Sequence, residues 1–153
     1  MRVYLDLCCL KRPFDSQSQP LVRLETEAVL AILGLADHRV VLLRSAVHVL
    51  ENSFNTVKAR RDAVSAWLSQ TELEPLSVRD LAPRSEELMA LGLGRFDAFH
   101  VAAAEFSSAA VFATVDYPLL GRLQRNRTAV RVRVSDPVAL LKEVLDGTAD
   151  YQS

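Results

Sequence analysis

Arg2-Val-Tyr-Leu-Asp6-Leu7 is a β-branched and aromatic run with a single carboxylate set among apolar residues. Such a run reads as a strand. A parallel strand inside a sheet is covered on both faces, and an unpaired charge there costs several kcal/mol. Asp6 therefore needs either internal donors or a ligand, and that demand organises the rest of the sequence.

Outward from this strand, Lys11 to Ser18 reads as a polar loop containing Pro13. Leu21, Leu24, Ala28, Ala31 and Leu35 recur at helical spacing, which predicts an amphipathic helix from about Pro20 to Asp37. Arg39 to Arg44 reads as a second strand. Ser45 offers an N-cap to a helix reaching about Phe54. A helix over about Val57 to Ser69 follows, then a weak strand over Leu73 to Val78, broken by Pro75. Helices over Asp80 to Leu91 and Asp97 to Phe106 are separated by Gly92-Leu-Gly94. Ala110 to Val115 is the clearest later strand, followed by a short helix near Leu119 to Arg125 and a strand at Val130 to Val134. Asp136-Pro137 opens a last helix to about Leu145, with Gly147 after its end. Strands alternating with helices predict a three-layer α/β/α fold around a mostly parallel sheet of four to five strands.

The 153 residues fit one domain, with half of them apolar and 24% charged. No apolar run approaches the length of a membrane span, and a carboxylate at position 6 is unlike the core of a signal peptide. Cys8 and Cys9 are adjacent, so no disulfide framework is expected, and the composition suits a cytoplasmic protein. Net charge is −1, but arginine supplies 15 of the 18 basic residues. Between Tyr117 and Ser135 there is no acid, only Arg122, Arg125, Arg127, Arg131 and Arg133. That stretch is either a solvated face or a phosphate contact.

Four acids stand where ligands bind in such folds, beyond the carboxyl ends of the strands. Asp6 ends the first strand and Asp116 the strand Ala113-Thr-Val115. Glu51 falls on the helical stripe of Val47, Leu50 and Phe54, so it is expected to face inward. Asp97 opens Asp-Ala-Phe-His-Val-Ala-Ala-Ala, where its ordinary role is a helix cap. For Asp116 the ordinary role is an Asx turn, for Glu51 an edge position, and for Asp6 a buried ion pair. Glu25 and Glu27 compete with Glu51. Two carboxylates about 4 Å apart repel by about 4 kcal/mol at an effective dielectric of about 20. Gathered acids must therefore hold protons or a cation. Oxygen donors without accompanying Cys and His favour Mg²⁺ or Mn²⁺, which suits phosphodiester hydrolysis.

The ordered set Val-Tyr-Leu-Asp6, Ser45 with Glu51, Asp97-Ala-Phe-His-Val-Ala-Ala-Ala and Thr114-Val-Asp116 resembles the PIN-domain ribonucleases, the family of the VapC-type toxins. The likeness covers about residues 2–145, and it implies a PIN domain over 1–147 with a tail at 148–153. It also implies an Mg²⁺- or Mn²⁺-dependent endoribonuclease whose metal is held by Asp6, Glu51, Asp97 and Asp116. Thr114 falls where a hydroxyl orients the last acid. The resemblance further implies a homodimer and a small antitoxin from the same operon. Cys8 departs from the pattern, which commonly has Ser, Thr or Asn there. Lys11 and Arg12, in a distinctive loop, join Arg122, Arg125 and Arg127 as candidate RNA contacts.

Other chemistries fit less well. A receiver domain needs paired acids after the first strand, and a haloacid-dehalogenase phosphatase needs Asp-x-Asp where this chain has Asp6-Leu-Cys8. His38, His48 and His100 lack zinc-like spacing, and His100 is expected to pack beneath the site. A catalytically inactive PIN-like module that binds RNA or another protein is the alternative function.

Overall fold

The computed structural model describes residues 1–36 and 39–152, with side chains described up to residue 147. His38 and the predicted helix end at Asp37 lie outside the described residues. Five strands form one parallel sheet: β1 (Arg2–Leu5), β2 (Val41–Arg44), β3 (Glu72–Leu73), β4 (Val111–Ala113) and β5 (Arg133–Ser135), in the order β3-β2-β1-β4-β5. The helices are α1 (Leu7–Lys11), α2 (Pro20–Gly34), α3 (Ala46–Ser53), α4 (Lys58–Leu68), α5 (Val78–Met89), α6 (Arg95–Phe106), α7 (Tyr117–Arg125) and α8 (Pro137–Gln152).

Alternation along β1 divides the core in two. Val3 and Leu5 pack with Val29 and Ile32 of α2, Val64 of α4 and Leu140 of α8. Tyr4 points the other way, among Val47 of α3, Leu81 of α5, Val101 of α6 and Leu119 of α7. This is the expected three-layer α/β/α architecture. Ala98, Ala102, Ala103 and Ala104 are all buried, so α6 lies close against its neighbours. The strand order reverses between β1 and β4, and ligands in open parallel sheets bind in the crevice that such a reversal opens.

Several predicted boundaries move. The apolar Leu7-Cys-Cys-Leu10 continues the strand pattern in sequence, yet the backbone turns at Asp6 and forms α1, with Asp6 as its N-cap residue. The strand at Leu73–Val78 shrinks to two residues because Ser77 caps α5 through a reciprocal pair with Asp80. The last helix passes through Gly147 and continues to Gln152, so the backbone of 148–152 is helical. Among the described residues no helix is long and apolar enough to cross a membrane.

Candidate active site

The parallel ladder sets the first two side chains side by side. Leu5 is in register with Ala113, and the Asp6 N–H donates to the Ala113 carbonyl at 2.9 Å, which brings Asp6 beside Thr114. The buried Thr114 hydroxyl donates to Asp6 Oδ2 at 2.8 Å and accepts from the Asp116 N–H at 3.0 Å. Thr114 thus bridges the first and last acids rather than serving the last alone. Asp116 caps α7, accepting from the Leu119 N–H at 3.0 Å through Oδ1.

The two helical acids both lie near enough to Asp6 to interact with it. Glu51 is half-buried, although not for the reason its spacing suggests. Leu50 and Phe54 of the expected inward stripe are exposed, and the buried face of α3 is Val47, His48 and Asn52. Ser45 caps α3 as expected. Asp97 is not the cap of its helix. The chain enters α6 at Gly94, which leaves Asp97 within the first turn with its carboxylate not used as a cap. Burial, reinforced by the charges of Asp6, Asp116 and Glu51, pushes the Asp97 carboxyl up to about 6. Asp6, Glu51 and His100 also offer ligand atoms that all lie within 4.8 Å of one another. Negative charge is thus concentrated around Asp6, Glu51 and Asp97.

Beneath the acids lies a polar network that spacing alone did not reveal. His100 is fully buried, with Nε2 at 3.0 Å from Glu51 Oε1 and Nδ1 at 2.6 Å from the Tyr4 hydroxyl. Tyr4 also meets Ser45 Oγ at 2.7 Å and stacks on His48 with ring centroids 4.4 Å apart. His48 donates from Nε2 to the Leu5 carbonyl at 2.7 Å and accepts from the Ser45 N–H at 3.1 Å. The pattern Ser45-x-x-His48 is a capping box with histidine in the acceptor role, and that was its one signal in sequence.

Burial, assisted by the neighbouring His100, pushes His48 down to about 3. The unfolded chain then takes up a proton near pH 6.5 that the folded chain refuses, so His48 favours folding above that pH and progressively less below it. Asp97, whose carboxyl is raised, acts in the opposite sense between pH 6 and 4. Comparing wild type with His48→Gln isolates the first effect. Chemical denaturation of the wild type should show a loss on the order of 4 kcal/mol between pH 6.5 and 3 that the glutamine variant lacks. Parallel pH profiles for the two proteins would contradict it.

No protein-family model matches this chain, and no curated protein matches it. Among solved structures, it is similar to VapBC2 from Rickettsia felis, determined bound to a DNA fragment from their promoter, at TM-score 0.58 and 15% identity over 89% of this chain and 98% of that one. It is also similar to FitAcB from Neisseria gonorrhoeae, at TM-score 0.51 and 20% identity over 88% and 97%. The fold is PIN-like. At these identities the likeness speaks for architecture, and the site rests on its own geometry.

Cys8 follows Asp6 by two residues. Its Sγ lies 3.3 Å from both Asp6 Oδ2 and Thr114 Oγ1, so the thiol leans on the pair that Thr114 already joins. Glu25, a competitor of Glu51 in sequence, is fully buried in a separate cluster. It accepts from Arg12 at 3.0 Å and from the Tyr117 hydroxyl at 3.0 Å. Arg12 donates to Asp15 as well, so its guanidinium is committed to the fold. Glu27 is exposed.

The remaining candidate cations spread along α1 and α7. Lys11 is half-buried at the end of α1. Arg122 lies over Gly92, whose φ of +98° is a backbone conformation that favours glycine. Arg125 is exposed at the end of α7, about 13 Å along the helix from Asp116, and Arg127 is exposed in the turn that follows. Phe54, the C-cap residue of α3, and Phe96 of α6 form an edge-to-face pair with centroids 6.2 Å apart, and Phe54 is 67% exposed.

Proposed function

We propose that this protein is a metal-dependent endoribonuclease, acting as the toxin of a type II toxin–antitoxin pair. The observation that carries it is the clustering of Asp6, Glu51 and His100, with ligand atoms all within 4.8 Å, beside an Asp97 carboxyl pushed up by burial and by the charges of Asp6, Asp116 and Glu51, a build-up that a bound cation would relieve. Carboxylate oxygens from Asp6, Asp97 and Asp116, with Glu51 completing the set, suit Mg²⁺ or Mn²⁺. Such an ion supplies a water made acidic enough to attack and neutralises charge on the phosphate.

The protein's own groups define the rest of the site. Thr114 keeps Asp6 and Asp116 in mutual register. Phe54 and Phe96 offer faces to unstacked bases, which favours single-stranded RNA. Lys11 and Arg122 would meet flanking phosphates, and Arg125 and Arg127 nucleotides further from the cut. The similar VapBC2 and FitAcB structures support an antitoxin as partner, and a homodimer is the assembly that the resemblance implies. A small DNA-binding protein encoded next to this chain would be that antitoxin.

The test is cleavage of single-stranded RNA by the full chain. Mn²⁺ or Mg²⁺ should support it, chelation should stop it, and Asp6→Asn should lower it at least about a hundredfold with loss of calorimetric Mn²⁺ uptake. If the wild-type chain takes up no Mn²⁺ that Asp6→Asn removes, the inactive RNA-binding or interaction module replaces this function.

A further inference from the structure

The hydrogen bonds beneath the acids allow only one arrangement of protons that pairs every group. The Leu5 carbonyl can only accept, so His48 carries its proton on Nε2. His48 Nδ1 is then the acceptor for the Ser45 N–H, and Ser45 Oγ accepts from the His48 N–H at 3.4 Å. With its oxygen so used, the Ser45 hydroxyl is free to donate to the Tyr4 oxygen. The Tyr4 proton, held on the phenol by full burial, goes to His100 Nδ1. His100 is left with one proton, on Nε2, facing Glu51 Oε1. A protonated Nδ1 would reverse the Tyr4 bond and strand the Ser45 proton in a buried site with no acceptor.

We propose that His100 is a positioning residue, fixed as its Nε2–H tautomer by the relay from Ser45 through Tyr4, which aims the Glu51 carboxylate into the acidic pocket and does not itself bind metal.

The stack of Tyr4 on His48 and on Phe112, the latter with centroids 5.7 Å apart, holds the relay rigid. Its members come from β1, α3 and α6, so Glu51 is aimed by three elements rather than by its own helix alone. A protonated Nε2 has no lone pair for a cation, which separates His100 from the two carboxylates it adjoins. One Glu51 oxygen is occupied by the imidazole, and the other is left to face the metal or the water it holds. The functional part of this inference rests on the ribonuclease reading, whereas the tautomer does not.

Two measurements test it. Long-range ¹H–¹⁵N spectra of the metal-free, full-length protein should report His100 with bare Nδ1 and protonated Nε2, and Tyr4→Phe should abolish that single pattern. A protonated Nδ1 in the wild type would overturn the relay. Separately, glutamine places an N–H near the Nε2 position, whereas asparagine reaches only the Nδ1 position. His100→Gln should hold Mn²⁺ affinity and RNA cleavage within about threefold of wild type, while His100→Asn should lose about tenfold to a hundredfold in each. Thermal melts verify that both variants fold. Equal loss in both variants would make His100 a ligand, and equal retention would make it packing; either result overturns the proposal. Absence of cleavage by the wild type, with the tautomer as stated, would remove the ribonuclease reading and leave the relay in place.

Discussion

Asp97→Asn is expected to make the metal-free protein more stable while abolishing its activity. In the folded chain the Asp97 carboxyl is pushed up to about 6, first by burial and then by Asp6 and Asp116. Above that pH the charged form opposes folding, and the opposition fades as pH falls toward 4, where the carboxyl is neutral in both states. A shift of about two units corresponds to about 3 kcal/mol, and partial exposure of the group cuts this to about 1–2 kcal/mol. Asparagine fills nearly the same volume without the charge. In chelator at pH 8 its melting temperature should therefore exceed that of wild type by about 3–6 °C, with the gap closing between pH 6 and 4. Added Mn²⁺ should raise the wild-type melting temperature and leave the variant unmoved, and RNA cleavage should fall at least about a hundredfold. A variant that melts below wild type in chelator, or that gains equally from Mn²⁺, would show that the acids do not share a cation.

Arg84→Met should be among the most damaging single changes to the fold. Arg84 is buried in α5 and donates through Nε and a terminal nitrogen to both oxygens of Glu105 in α6, at 2.7 and 3.0 Å. It also reaches Glu87 at 2.8 Å and the Ala129 carbonyl at 2.6 Å, and Glu105 accepts the Arg131 N–H at 2.7 Å. One guanidinium thus joins two helices and the segment leading to β5. Its removal leaves the Glu105 carboxylate, whose side chain is 3% exposed, without its counter-charge. Losing one partner of a buried pair costs about 3–5 kcal/mol, or a fall of about 10 °C or more in melting temperature. Adding Glu105→Gln should recover at least half of that loss, because the stranded charge goes with it. A double variant no better than the single one would locate the damage in lost packing instead.

The two changes mark different kinds of legibility. Asp97 was visible as chemistry in sequence, because a carboxylate beside an alanine-rich helix face asks for a reason. Its place within the first turn of α6 was not visible, since Gly94 rather than Asp97 caps the helix. The helical stripe that predicts an inward Glu51 is solvent-facing at Leu50 and Phe54, and Glu51 comes near Asp6 because α3 buries His48 and Asn52 instead. Arg84 carried no signal at all. Its partner Glu105 lies 21 residues away on another helix, and only packing brings them together.

The sequence by itself determined the alternation of strands and helices, the three-layer architecture and the residue types available at the strand ends. Those follow from local periodicity and from the cost of placing a charge such as Asp6 among apolar neighbours. Tertiary structure alone decided which polar groups meet: Thr114 with Asp6, Arg12 with Glu25, and His100 between Tyr4 and Glu51. A hydrogen bond needs its atoms within about 3 Å and aligned, and no spacing along the chain carries that information across 49 or 108 residues.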